Sequence, residues 1–353
     1  MRLPLRWERW VGEKKPSADT LGYALARMDL ESLRRVLVRL NHEMKRKKIL
    51  KTKTPPYLVA AVDGNELFRS RKRCCSLCLK RILDTGQGSV TEYYHRVAVL
   101  QIVNASPPLV LDLEPVLPGE DEVAAAERML ARAKKLYPRF FDVLTLDALY
   151  LRAGHVQKIL QWNWDAVIVL KQESRELYQD VDILMPLTAP EKTSTSTGTQ
   201  THWDLEELTG WRQLGKPIRV VCSSEIEQKR ERIAGLWQER EVIHNWRWAT
   251  TLPRNLADAS QINRWGHARW DIETRGFMEL TQYWGMDHCF HHHPNAITAC
   301  LLILMQAFAL TTVFFERNLK LPLRQKMSRL SLARLLAEDL AKAWTGCFWA
   351  QPP

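Results

Sequence analysis

A run of 22 residues without a single charge, from Pro294 to Phe315, most limits how this chain can fold. Such a run either crosses a bilayer as a helix or is buried in a large hydrophobic core. Gln306 stands in its middle, and no second run of this length occurs in the sequence. A chain of 353 residues is long enough to bury such a helix. We therefore predict a core helix and no membrane association, with a membrane span as the alternative.

The net charge of +11 is concentrated at the amino-terminal end, because residues 1–54 contain 15 lysines and arginines against 6 acidic residues. Ordinary globular composition and seven irregularly spaced cysteines exclude a fibrous chain and a secreted disulfide scaffold, and favour a reducing cytoplasm. Basic runs are candidate contacts for DNA phosphates, although a solvated arm is the alternative for a charge run alone. The candidate residues are Lys45, Arg46, Lys47, Lys48, Arg71, Lys72 and Arg73.

From Pro56 onward, short apolar runs that end in turn residues alternate with amphipathic helical stretches. The predicted order is three strands (57–62, 97–103 and 109–113), a helix that begins near 122, a strand (140–146), a helix (151–162) and a strand (166–170). Residues 69–90 are predicted to be a polar, basic connection. This order predicts an α/β fold with a mixed sheet that is flanked by helices.

Changes in composition and in hydrophobic periodicity divide the chain into four segments. Residues 1–54 are predicted to form a basic helical lead-in, and residues 55–171 the first part of the core. Residues 172–252 contain the low-complexity stretch 191–201 and short alternating runs, so a β-rich insertion is predicted there. Residues 253–353 are predicted to complete the core with helices and to form a carboxyl-terminal tail.

Asp63 and Asp147 each follow a short apolar strand, and open α/β sheets place their chemistry at such strand ends. Asp142 is five residues before Asp147 and therefore points to the opposite face, so Asp147 is preferred. Two carboxylates at one edge repel each other unless a divalent cation neutralises them. Arg269 and Glu273 are four residues apart on a predicted helix and share a face, which makes Glu273 a candidate third ligand. An ordinary strand-end or surface carboxylate is the alternative for each acid alone.

Five motifs together resemble the DDE-class transposases of bacterial insertion sequences over roughly residues 20–315. They are Val62-Asp63-Gly64, Tyr93-Tyr94-His95-Arg96, Leu146-Asp147-Ala148-Leu149-Tyr150, Trp246-Arg247-Trp248-Ala249-Thr250-Thr251-Leu252 and Arg269-Trp270-Asp271-Ile272-Glu273. The resemblance implies an RNase H-like core in which Asp63, Asp147 and Glu273 bind Mg²⁺ or Mn²⁺, with two ions, while Arg269 orients the last acid. It also implies double-stranded DNA as the partner, at transposon ends and target, with a homodimer in the DNA complex and a bacterial, nucleoid-associated location.

The expected activity is metal-dependent cleavage at transposon ends and strand transfer by a 3′-hydroxyl. In the family's Tyr-x2-Arg-x3-Glu-x6-Lys signature, Gly266 takes the Tyr position and Leu280 the Lys position, so Arg264 and His267 are candidate DNA contacts in their place. Because the basic lead-in is short for this family, we expect the chain to be an amino-terminally truncated transposase. An RNase H-like nuclease without strand transfer and an inactive relic that only binds DNA remain the alternatives.

Two further signals concern aromatic and metal-ligating side chains. Eight of the 14 tryptophans lie between Trp203 and Trp284, and Trp246 is a candidate for stacking on an unpaired base, with core packing as the alternative. Cys75 and Cys78 form one Cys-x2-Cys pair. Further zinc ligands would have to come from Cys289 and the histidines near it, so free thiols are predicted and zinc is not expected.

Overall fold

The computed structural model describes residues 17–349, apart from residues 87, 174, 196–197 and 234–235. Residues 1–16 of the predicted lead-in and residues 196–197 of the predicted low-complexity stretch lie outside the described residues. The chain divides into two compact units. The first unit contains Met1–Leu50, Glu66–His95 and Glu279–Pro353, and the second contains Lys51–Asn65 and Arg96–Met278.

The described residues form helices and strands with the following bounds. The helices are α1 (Ala18–Leu25), α2 (Leu30–Arg46), α3 (Glu122–Leu136), α4 (Ala153–Gln161), α5 (Glu176–Leu184), α6 (Ala259–Ala268), α7 (Met278–Trp284), α8 (Pro294–Arg317), α9 (Leu321–Lys326) and α10 (Arg329–Trp349). The strands are β1 (Lys51–Thr52), β2 (Val59–Ser70), β3 (Leu79–Thr85), β4 (Gly88–Ile102), β5 (Ala105–Ser106), β6 (Leu109–Pro115), β7 (Val143–Leu146), β8 (Asp165–Val169), β9 (Glu191–Thr195), β10 (Gly198–Leu208), β11 (Ile218–Ile233) and β12 (Leu236–Thr250).

The second unit is built on a mixed sheet in which β2, β7 and β8 are parallel neighbours. All four residues of β7 and the last four of β8 are buried, which explains why these strands appear as uninterrupted apolar runs in the sequence. β12 pairs antiparallel with β8, and β11, β10 and β9 follow in order. The β-rich segment before α6 therefore continues the core sheet.

Helix α3 covers part of this sheet and has the ends that the sequence predicts. The Asp121 side chain caps its first turn by accepting a hydrogen bond from the backbone nitrogen of Ala124, 3.0 Å away. Its buried face includes Val123, Met129 and Leu130. The helix is thus fixed over the sheet by capping and by apolar burial together.

These observations confirm the predicted fold class, a mixed sheet flanked by helices with a β-rich segment before the last helices and a helical carboxyl-terminal part. The architecture is compatible with an RNase H-like fold. The predicted polar connection over residues 69–90 is wrong, because β2 continues to Ser70 and β3 forms a hairpin with the first half of β4. Charged residues conceal this hairpin in the sequence, since they satisfy one another: the Arg81 guanidinium donates to Glu66 at 2.8 Å and to Glu92 at 2.8 Å.

In the first unit, the uncharged run forms α8, which packs against α1, α2 and α10. The Gln306 side chain, in the middle of this run, donates a hydrogen bond to the backbone oxygen of Leu33 on α2 at 2.9 Å. Within the described residues, α8 is the helix with the length and apolar composition to cross a membrane, and 56% of its most apolar window is buried. The packing of α8 against three other helices agrees with the predicted core helix.

Candidate functional site

Asp63 and Asp147 both come directly after the paired segments of two neighbouring parallel strands. The paired register of β2 and β7 ends with Ala61 opposite Thr145. Asp63 lies in β2 two residues after Ala61. Asp147 lies two residues after Thr145, just beyond the end of β7, where it precedes a short 3₁₀ turn at Ala148–Tyr150.

Asp142 is at the other end of β7 and has a different partner. Its carboxylate accepts a hydrogen bond from the backbone nitrogen of Leu58 at 3.0 Å. It therefore fixes the start of the strand pair and does not extend toward the edge that carries Asp147.

Arg269 brings Glu273 to Asp63. Its Nη1 atom donates to Oδ2 of Asp63 at 3.1 Å and to Oε1 of Glu273 at 3.0 Å, so these two oxygens can be no more than 6.1 Å apart. The Arg269 side chain is buried, with 6% of its surface exposed. Asp271, two residues before Glu273, has a separate partner in Lys53 at 3.4 Å. Of these two acids, Glu273 is the one that Arg269 connects to the strand edge.

Asp147 is the more accessible acid of the pair on the sheet, with 35% of its side chain exposed. Its Oδ1 lies 3.4 Å from Nζ of Lys171, which follows β8. Among the described residues, one group of possible metal ligands has its ligand atoms within 4.8 Å of one another. That group lies in the first unit and does not contain Asp63, Asp147 or Glu273. A cation thus already lies against each aspartate: Arg269 against Asp63, and Lys171 against Asp147.

The environment of Asp63 disfavours its charge. The pKa of Asp63 is raised to about 6, mainly by burial and also by the nearby carboxylates of Glu122 and Glu273. Arg269 and the backbone nitrogen of Gly64 oppose this rise. The acidic edge therefore carries more buried negative charge than its neighbouring cations compensate.

Glu122 is an acid of this region that sequence reasoning missed, because it reads as an ordinary first-turn acid of α3. It is 7% exposed, accepts a hydrogen bond from the Tyr150 hydroxyl at 2.7 Å and pairs with Arg96 at 2.6 Å. A Cβ atom on Gly64 would collide with the Glu122 carboxylate. Gly64 is therefore the feature that lets this acid approach the backbone beside Asp63, and the Asp-Gly pair was the available sequence signal.

The helical segment that carries Arg269 and Glu273 is less regular than predicted. Helix α6 ends at Ala268, and residues Glu273–Phe277 form a short π-helical stretch before α7. Such widened turns occur frequently at functional sites. Gly266 is buried, and a Cβ atom there would lie 2.5 Å from the Trp248 ring, which explains why the Tyr of the family signature does not fit. Leu280, at the Lys position of the signature, is fully buried.

Trp246 belongs to an aromatic cluster beside this segment. Its ring stacks on Trp248 at 5.8 Å, and it contacts His267 at 5.3 Å and Trp270 at 4.9 Å between ring centroids. Nε2 of His267 donates a hydrogen bond to the Glu225 carboxylate at 2.8 Å, so this nitrogen is engaged. Both predicted DNA-contacting side chains are therefore part of the packing that supports α6, and Trp246 is half-buried.

The remaining predicted DNA contacts are mostly on the surface. Arg46, Lys47 and Lys48, at and beyond the end of α2, are exposed, while Lys45 is half-buried; Arg46 pairs with Glu43 at 2.7 Å. The second basic run follows β2, and all of its three residues, Arg71, Lys72 and Arg73, are exposed. Arg264 is exposed on α6.

Cys75 and Cys78 do not stand alone. In the first unit they lie with His95 of β4 and His292, which precedes α8, and the four ligand atoms are all within 4.8 Å of one another. Sequence reasoning considered His292 as a ligand but missed His95. The available sequence signal for His95 was its place in the Tyr93-Tyr94-His95-Arg96 motif. That motif was used only as evidence of the family resemblance.

A family model described as Transposase DDE domain matches residues 87–311, more than half of the 353-residue chain. The match includes Asp147, Arg269 and Glu273, and Asp63 precedes it. No curated protein matches the chain. The mixed sheet flanked by helices is compatible with the RNase H-like fold of the proteins that this family model describes. The chain belongs to the DDE transposases of insertion-sequence type, a family that acts on DNA and uses divalent metal ions.

Proposed function

We propose that this protein is a metal-dependent DNA transposase that cleaves phosphodiester bonds at transposon ends and joins the released 3′-hydroxyl to target DNA. The observation that supports the proposal is that Arg269 donates hydrogen bonds to both Asp63 and Glu273. Asp147 is proposed as the third acid because it follows β7, the parallel neighbour of the strand that contains Asp63. The family match supports the reaction class.

The donor set of this edge suits hard divalent cations. All three candidate ligands are carboxylates, which Mg²⁺ and Mn²⁺ prefer over nitrogen and sulfur ligands. The raised pKa of Asp63 reports buried carboxylates with too little compensating positive charge, and a divalent cation supplies that charge. Asp63, Asp147 and Glu273 would hold the ions, and the two-ion arrangement of the family is part of the proposal.

When bound, the ions would activate the attacking oxygen and stabilise the leaving oxygen of an in-line displacement. Arg269 has a positioning role, because its single guanidinium fixes the carboxylates of Asp63 and Glu273 before any cation arrives. Lys171 neutralises Asp147 in the same way, from an exposed position at which it can exchange Asp147 for a DNA phosphate.

DNA binding is proposed for the exposed basic residues Arg46, Lys47, Lys48, Arg71, Lys72, Arg73 and Arg264. Exposed lysines and arginines release condensed counterions when they contact phosphates, which gives sequence-independent, salt-sensitive affinity. Trp246 and His267 are proposed only as support for the helix that carries Arg269, because their rings pack together.

The experiment that tests the proposal is a strand-transfer assay on a pre-cut DNA end. Oligonucleotides carry the terminal sequences that flank the coding region, and a supercoiled plasmid serves as target, with Mg²⁺ or Mn²⁺ added or withheld. We expect metal-dependent joined product from the unmodified chain and none from Asp147→Asn. Hydrolysis without joining would instead assign a nuclease. DNA binding that survives Asp147→Asn, without any metal-dependent product from the unmodified chain, would assign a DNA-binding relic and overturn the proposal.

A further inference from the structure

Two cysteines and two histidines converge in the first unit. Nε2 of His95 lies 3.3 Å from Sγ of Cys75 and 3.3 Å from Sγ of Cys78. Nε2 of His292 lies 3.2 Å from Sγ of Cys78, and the two sulfur atoms are 3.7 Å apart. The sulfurs are not bonded to each other, since a disulfide requires about 2.05 Å.

These spacings match the edges of one tetrahedron around a zinc ion. Zinc–sulfur bonds of about 2.3 Å and zinc–nitrogen bonds of about 2.0 Å place tetrahedral ligand atoms about 3.8 Å apart for two sulfurs and about 3.5 Å for sulfur and nitrogen. We propose that Cys75, Cys78, His95 and His292 form a structural Cys₂His₂ zinc site. Because four protein ligands fill the tetrahedron, no open position is left for a substrate.

The surroundings prepare these residues for metal binding. Cys78 is 3% and His95 6% exposed, and Phe68 packs against both imidazoles, at 5.3 Å from His95 and 5.7 Å from His292. The backbone nitrogen of Cys75 donates to Sγ of Cys78 at 3.2 Å, which favours a thiolate there. An apolar wall and a backbone donor to sulfur are the outer-shell features that orient ligands and exclude water.

The charges of the proposed ligands suit one zinc ion. A bound Zn²⁺ deprotonates coordinating thiols outright, and two thiolates with one Zn²⁺ form a neutral buried group.

The position of the site defines what it would stabilise. Cys75 and Cys78 lie in the turn between β2 and β3, His95 lies on β4, and His292 lies just before α8, 214 residues after Cys78. The ion would thus join the hairpin to the start of the core helix. Arg81 already joins the three strands by pairing with Glu66 and Glu92, so the ligand-bearing backbone is fixed on that side.

The first test is the zinc content of the full chain, purified without a histidine tag and without added metal. We expect one zinc per chain, and loss of that zinc in Cys75→Ser, Cys78→Ser, His95→Gln and His292→Gln. Cys289→Ser and His288→Gln are matched controls, because both residues belong to the same Cys- and His-rich segment but not to the tetrahedron, and both variants should retain the ion. A chain without stoichiometric zinc, or with Cys75 joined to Cys78 in a disulfide, would overturn the assignment.

The second test does not depend on the folding of any variant. The unmodified chain is loaded with Co²⁺ in place of zinc, and its electronic absorption is recorded. We expect the intense visible bands of tetrahedral cobalt together with a near-ultraviolet sulfur-to-cobalt charge-transfer band. Weak octahedral bands without charge transfer would show a metal on oxygen ligands only and would overturn the proposed ligand set. Since the acidic edge has no sulfur, this spectrum distinguishes the two sites whatever the outcome of the strand-transfer assay.

Discussion

The acidic edge of the second unit and the Cys₂His₂ cluster of the first unit both gather metal-ligating side chains from distant parts of the sequence, but in different states. The cluster's four ligand atoms already lie within 4.8 Å of one another. At the acidic edge, Arg269 lies between Asp63 and Glu273, and Lys171 lies against Asp147. The comparison indicates a preformed, closed site for a resident ion and an open site whose charges are compensated by side chains that an incoming ion or phosphate can displace.

The largest expected effect concerns the chemistry of the open site. Asp63→Asn and Glu273→Gln each remove a carboxylate from the edge, and we expect each to reduce strand transfer by ~10³-fold or more, because residues that act as a unit fail together. Zinc content should be unchanged in both variants. The measurement is joined product per unit time beside metal analysis of the same samples. A variant that retains activity would show that the substituted acid is not needed at the site. A variant that loses zinc as well as activity would show that the two metal sites are not independent.

The next effect concerns the closed site. Removal of zinc by a strong chelator should lower the melting temperature by roughly 5 °C, because a ligand present at about 1,000 times its Kd stabilises by about 4 kcal/mol and a chain of 353 residues unfolds with an entropy of about 0.7 kcal/mol/K. Differential scanning calorimetry before and after chelation measures this shift. Restored zinc should recover the melting temperature, whereas Mg²⁺ should not, since Mg²⁺ prefers oxygen ligands. An unchanged melting temperature would contradict a structural role for the ion.

The role of Arg269 as a displaceable cation predicts a smaller effect that depends on metal. Arg269→Ala leaves buried carboxylates without their partner and should cost about 3–5 kcal/mol of unfolding free energy in the absence of divalent ions. Mn²⁺ should recover part of this loss by neutralising Asp63 and Glu273. Urea unfolding with and without Mn²⁺ measures the difference.

Arg219→Ala provides the matched control for this experiment. Arg219 is 4% exposed and pairs with Asp204 at 2.7 Å in the same unit, so its loss should be of similar size. Asp204 is not part of the acidic edge, and Mn²⁺ should therefore not rescue this variant. Equal rescue of both variants would show that the ion acts non-specifically.

The smallest effect concerns the support behind Arg269. Gly266→Ala would place a Cβ atom 2.5 Å from the Trp248 ring and should destabilise the protein by about 1–3 kcal/mol through overpacking. Gly154→Ala, on α4, adds a Cβ atom in open space and should be neutral or stabilising by up to about 1 kcal/mol. Chemical unfolding of the two variants compares them directly. A neutral Gly266→Ala would mean that the Tyr of the family signature is absent for another reason than packing.

The same comparison explains what the sequence could and could not reveal. Asp63 and Asp147 could be proposed from the sequence because each follows a short apolar run, and the structure shows that these two runs are parallel neighbours in the sheet. Arg269 and Glu273 were identifiable as a pair from their helical spacing. The placement of this pair against Asp63 depends on tertiary packing that no local pattern encodes.

The missed residues show where local patterns stop being informative. Glu122 has the signature of an ordinary first-turn acid, and only the absence of a side chain at Gly64 admits it to the edge. His95 lies in β4, whose first residues, up to residue 90, were assigned to a polar connection, because charge pairs such as Arg81–Glu92 hid the hairpin. With the hairpin unrecognised, His95 had no predicted position beside Cys75 and Cys78.

The most direct test of the central claim, that three acids share divalent cations, is Mn²⁺ binding measured by electron paramagnetic resonance in the full chain. We predict specific Mn²⁺ binding that is lost or strongly weakened in Asp63→Asn, Asp147→Asn and Glu273→Gln. Asp142→Asn serves as control, because Asp142 lies at the other end of β7 and should leave binding unchanged. Equal Mn²⁺ affinity in all four variants and the unmodified chain would contradict the account.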